Sequence, residues 1–98
     1  MAIDMMRMLQ VELNMRNPPE TKRAQLQQLL DVAAARLKGK GIQTLDAAKT
    51  AGDAQLQVDF AAFLYRRRTM SESVPIPRWL QVDIHDRLVA EKARVSDG

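Results

Sequence analysis

Apolar residues recur along the chain at helical spacing, in four stretches separated by proline, glycine or polar breaks. Residues 2–16 place Ile3, Met6, Leu9 and Leu13 on one stripe, widened by Met5, Met8 and Val11, which predicts an amphipathic helix. Asn17-Pro18-Pro19 ends it, because the residue before a proline avoids the α region and proline cannot continue a helix. A second helix is predicted from about Pro19. Glu20 there suits the positive end of the macrodipole, and Leu26, Leu29, Leu30, Ala33 and Leu37 form the buried stripe. Gly39 or Gly41 is expected as its left-handed stop.

Residues 42–52, IQTLDAAKTAG, follow neither period cleanly. Ile42 and Leu45 are expected to anchor this connection, a short helical turn fits Leu45–Thr50, and Gly52 should break it. Asp53 is then the candidate N-cap of a third helix, since a carboxylate accepts from the first free N–H groups. Leu56, Phe60, Phe63 and Leu64 make its buried face, and Ala61 and Ala62 allow close approach; it should run to about Arg68. Thr69–Val74 reads as a polar, flexible loop. A fourth helix is expected from about Pro77, with Leu80, Ile84 and Leu88 at i, i+4 spacing. Trp79 is expected to cap the core. The predicted fold class is therefore all-α, a small bundle of about four helices with short loops. It forms one domain over residues 1–98, with residues 95–98 as a frayed tail.

Composition agrees with this pattern. Aromatics make up only 4% of the 98 residues against an apolar fraction of 46%, so Ala, Leu, Val and Met must supply the packing, which favours helices over sheet. Six methionines fit either core filler or an adaptable interface. There is no cysteine, which excludes disulfides and thiolate metal sites. No apolar run approaches the ~20 residues of a membrane span. The first residues lack the features of a signal peptide, so a cytoplasmic protein with no membrane association is expected. The net charge of +3 is mild, and nucleic-acid affinity would need local clustering of cations.

Candidate chemistry is sparse. His85, the one histidine, has Asp83 and Asp86 near it in sequence but not on its helix face, so it reads as a surface or interface residue. Gly39-Lys40-Gly41 lacks the frame of a phosphate-binding loop. No nucleophile motif or metal-ligand spacing stands out. The expectation is no catalysis and no cofactor. Arg66-Arg67-Arg68 admits three uses: a cationic helix C-terminus, phosphate binding, or salt bridges to a neighbouring subunit. Consecutive helical residues diverge by ~100°, so at most two of the three share a contact. Pro75-Ile76-Pro77-Arg78-Trp79 gives a sharp helix start, with Arg78 facing solvent or a partner.

These segments carry a family resemblance. Phe60-Ala61-Ala62-Phe63-Leu64-Tyr65-Arg66 with Arg68, then Pro77-Arg78, then His85-Asp86-Arg87-Leu88 resemble the C-terminal half of small tailed-phage head–tail connector proteins. These are also called head-completion, adaptor or putative DNA-packaging proteins. Ile76 stands where the family pattern has methionine, and Asp86 departs from its asparagine-like position. The resemblance covers roughly residues 53–92.

It implies an all-α structural subunit that assembles with itself as a ring of about twelve beneath the phage portal protein. Such a ring extends the DNA channel without sequence recognition, offers a platform to a downstream connector or tail protein, and belongs to the virion at the head–tail interface. The resemblance also points to Arg66, Arg68, Arg78 and Arg87 as subunit or portal contacts. A rival from another class is a small helical DNA-binding regulator. Against it, the predicted 69–77 loop exceeds the 3–4 residues of a helix-turn-helix, and the next helix opens on prolines and tryptophan. A third use is an accessory protein that binds one host partner through the Met-rich first helix.

Overall fold

The computed structural model describes residues 3–68 and 75–97, with side chains to residue 93. The described residues form four helices joined by irregular segments: α1 (Met5–Glu12), α2 (Glu20–Gly39), α3 (Ala51–Arg68) and α4 (Arg78–Asp97). The all-α architecture is as the hydrophobic periodicity predicts. The expected loop at Thr69–Val74 lies outside the described residues. Helical backbone in α4 continues to Asp97.

α1 and α2 stop by the same device. In α2, the Gly41 N–H donates to the Lys38 carbonyl (3.0 Å) and the Ile42 N–H to the Leu37 carbonyl (3.2 Å), while Gly41 takes φ = 121°. This is a Schellman stop, and its usual apolar contact is present in Leu37 and Ile42, both fully buried. In α1, the Met15 N–H donates to the Gln10 carbonyl (2.8 Å) and the Asn14 N–H to the Val11 carbonyl (3.1 Å). Asn14 takes the left-handed role at φ = 56°. α1 therefore ends at Glu12, ahead of the Asn17-Pro18-Pro19 stop expected from sequence, because asparagine tolerates the left-handed region. At its other end the Asp4 carboxylate caps the helix, accepting from the Arg7 N–H at 3.1 Å.

The start of α3 also differs from expectation. The Ala54 N–H donates to the Thr50 carbonyl (3.0 Å), so the helix already runs at Ala51, and Gly52 lies in its first turn. Asp53 is not the N-cap. Its carboxylate reaches back to the Asp46 N–H (2.9 Å), and Asp46 itself opens the single turn that closes on Thr50. Of the two connection anchors, Ile42 is fully buried and Leu45 half-buried.

α3 is the central element. α2 runs antiparallel to it: Gln57 donates to the Leu30 carbonyl (2.9 Å) near mid-helix, and Lys22 at the start of α2 meets the Tyr65 hydroxyl (3.4 Å) near the end of α3. α1 lies alongside α3, with Glu12 beside Arg66. Leu9, Leu26, Leu30, Leu37, Ala61 and Phe60 form the centre of the core. Phe60 meets Phe63 edge to face at 6.2 Å, the arrangement aromatic quadrupoles favour.

α4 joins this core through Leu80 and Ile84, with Leu88 half-buried behind them. The molecule is a flat plate, 45 × 37 × 18 Å, so α4 packs on one side only. Trp79 is 51% exposed, which overturns its expected place in the core. The reason is rotational: Leu80, Ile84 and Leu88 define the inward face, and the residue before Leu80 points ~100° away from it. Trp79→Ala should therefore lower the stability of the isolated chain by less than about 1 kcal/mol in urea unfolding, against the ~3–5 kcal/mol of a buried tryptophan. A loss in the higher range would place the indole inside.

Candidate functional site

The four arginines singled out from sequence fall into four different settings. Arg87 faces inward. Its Nε donates to Asp53 Oδ1 at 2.7 Å and its Nη2 to Asp53 Oδ2 at 3.3 Å. Nη1 meets Glu91 Oε1 at 3.3 Å, one helical turn on, and Nη2 also reaches Thr44 Oγ1 at 3.1 Å. Glu91 Oε1 in turn accepts from the Thr44 N–H (3.1 Å) and hydroxyl (2.6 Å). One guanidinium thus ties α4 to the first turn of α3 and to the 42–50 connection. Arg87 is engaged within the chain and serves as an internal clamp, in place of the outward contact expected of it.

The clamp has clear electrostatics. The Thr44 hydroxyl, with help from Arg87, holds the Glu91 carboxyl below its usual range although burial opposes this. A lowered folded-state value means that the stabilisation is present at neutral pH and is lost as pH falls through that value. Bonding to Asp53 raises the affinity of Arg87 for its proton.

Arg66 is exposed and meets Glu12 twice, at the carbonyl (3.2 Å) and the carboxylate (3.6 Å). This braces the ends of α1 and α3. Arg68 stands with Arg67 and Arg36 on the rim of a groove of about 300 Å³ between α2 and α3. Leu29, Val32 and Leu64 form its floor. Arg78 lies at the start of α4 on the open side, sharing a shallow depression with Gln81, Val82 and His85. His85 is exposed.

A second, larger groove of about 570 Å³ runs between α3 and α4, with Leu56, Asp59, Asp83, Asp86 and Arg87 along it. Burial pushes the Asp59 carboxyl up, and Glu12 and Asp83 add to this, while the Gln55 amide at 2.8 Å and Arg66 oppose it. Among the described residues no group of three or more His, Cys, Asp or Glu is arranged to hold a metal ion. No helix there is long and apolar enough to cross a membrane.

The outer face of α4 is the feature sequence reasoning missed. Val82 is 48% and Val89 54% exposed, alongside Trp79. With Asp86 these residues fall within an arc of roughly 80°, opposite the inward face. The helix is apolar on two sides, whereas a surface helix of a monomer is ordinarily apolar on one. Arg87 and Glu91 lie on the same side as Leu80 and Ile84. A charged i, i+4 pair on an apolar face was the sequence signal for the clamp; its partners Thr44 and Asp53 sat too far away in sequence to pair by inspection.

No protein-family model matches the chain, and no curated protein or solved structure matches it.

Arg87→Ala should cost about 1–3 kcal/mol by chemical denaturation. That is less than the ~3–5 kcal/mol of a fully enclosed pair, because the guanidinium lies near the surface and is partly screened. A loss within a few tenths of a kcal/mol would show the clamp to be dispensable. Asp59→Asn should raise the melting temperature at pH 7, with the gain shrinking as pH falls. A raised folded-state pKa means the carboxylate form is the disfavoured one, and protonation relieves wild type as the amide does. A gain constant down to pH 3 would contradict this.

Proposed function

We propose that this protein is a structural subunit of a phage head–tail connector ring, which docks beneath the portal, extends the DNA channel and acts by assembly, without catalysis. The observation that carries the proposal is the second apolar face of α4. Trp79, Val82 and Val89 are of a kind that subunit contacts cover, and aromatic anchors with arginine neighbours are enriched there. The two halves of the connector-like pattern support it further. FAAFLYRRR ends α3, PRW opens α4, and the two helices are packed neighbours in an all-α bundle.

On this proposal Arg66 braces α1 against α3, Arg68 and Arg78 make contacts between subunits or with the portal, and Arg87 keeps α4 in position to present its outer face. DNA passes through the ring without sequence readout, and the protein resides in the virion. The rival, a small DNA-binding regulator, draws on Arg67 and Arg68, which have no partner among the described residues and are suited to phosphate.

Native mass spectrometry across a concentration series, with duplex DNA binding measured from low to moderate salt, separates the two. A discrete closed oligomer of about twelve subunits is expected, with weak DNA binding. A chain that stays monomeric and binds duplex DNA with a steep salt dependence would overturn the proposal in favour of the regulator.

A further inference from the structure

Two surfaces of this molecule are complementary to each other. The first is the α4 ridge. Trp79, Val82 and Val89 project from it; Asp83 and Asp86, both exposed, lie on its α3 side, where they also line the α3/α4 groove, and Arg78 stands beside Val82. Neither aspartate has a hydrogen bond or ion pair among the described residues. The second is the groove between α2 and the last turns of α3. Its floor is Leu29, Val32 and Leu64, and its rim carries Arg36, Arg67 and Arg68 without an acid among the lining residues. These three guanidiniums are likewise without partners among the described residues. The ridge is apolar, with two aspartates on one side and Arg78 on the other; the groove is apolar and basic.

We infer that the α4 ridge of one copy seats in the α2/α3 groove of a second copy, with Asp83 and Asp86 against Arg67 and Arg68. Charge decides the occupant. Three arginines meeting three arginines repel, so a two-fold interface through the groove is disfavoured. Ridge to groove pairs opposite charges around an apolar centre, the arrangement that gives both register and exclusion of wrong partners. The two surfaces lie at different elements of the plate, one on α4 and the other across α2 and α3, so after pairing each copy keeps its other surface free. Association is therefore head-to-tail and continues until the rotation per copy closes it. The pairing itself stands on these surfaces; only its closure into a ring rests on the connector proposal.

A charge exchange tests it. One variant carries Asp83→Arg and Asp86→Arg, the other Arg67→Asp and Arg68→Asp, and helicity is checked by circular dichroism. Each alone should run at the monomer mass of 11.1 kDa by light scattering, whereas an equimolar mixture should recover assembly with the two chains alternating. Trp79→Ala, which leaves the charges in place, should raise the concentration needed for assembly by about tenfold or more.

Assembly of the Asp83→Arg/Asp86→Arg chain at wild-type concentrations would overturn the pairing and leave the connector proposal standing. A mixture that stays monomeric, or wild type monomeric to ~1 mM, would also overturn the pairing. If the mixture recovers assembly but only as open chains of indefinite length, the pairing holds and the connector proposal fails. Should the Arg67→Asp/Arg68→Asp chain not fold, the Trp79→Ala shift and the ridge variant still decide.

Discussion

The attachment of α4 depends on Arg87. α1, α2 and α3 share a continuous apolar core, but among the described residues α4 contributes only Leu80 and Ile84 to its buried part. Two leucine-sized side chains are a thin seal for a helix of 20 residues. The guanidinium adds a directional tie, reaching Asp53 on α3, Thr44 in the connection and Glu91 on its own helix. Asp53 in turn holds the Asp46 N–H. The irregular 42–50 segment is thus secured by side chains from the two helices it lies against. Hydrogen-bonded charge here fixes orientation more than it adds stability, since desolvation offsets much of the Coulomb gain.

Orientation matters because of what the far side of α4 carries. With Arg87 and Glu91 directed inward, Trp79, Val82 and Val89 are held outward at a fixed angle to the plate. An 18 Å slab has the thickness of about two helices, so no other layer of the described chain covers that face. Exposed apolar surface of this kind, in line along a helix and edged by aspartates, is costly in a monomer and useful in an assembly. The same plate carries a basic groove at the end of α3. On the proposed pairing these two surfaces are the donor side and the acceptor side that a ring requires.

Much of the fold was legible because it obeys local rules. The stripe Leu26, Leu29, Leu30, Ala33 and Leu37 is buried throughout, and Gly41 stops α2 in the left-handed region. The two prolines place the end of α1 near Asn17 by rule, but Asn14 ends the helix earlier by its own tolerance of positive φ. The cap rule for Asp53 considers only local N–H groups, whereas a distant arginine and the Asp46 N–H claim its carboxylate. Trp79 was assigned inward by residue type against the helical phase set by Leu80, Ile84 and Leu88; the phase governs.

The surfaces were less legible than the elements. Arg66, Arg68 and Arg78 are exposed at helix ends, as their positions imply, but Arg36 joins Arg67 and Arg68 only through the antiparallel packing of α2 on α3. Negative-stain electron microscopy of the wild-type chain at assembling concentration would test most directly whether these surfaces close. Head-to-tail pairing into a connector predicts rotationally symmetric rings with an open centre. Two-fold dimers, or fields of single small particles at every concentration, would contradict it.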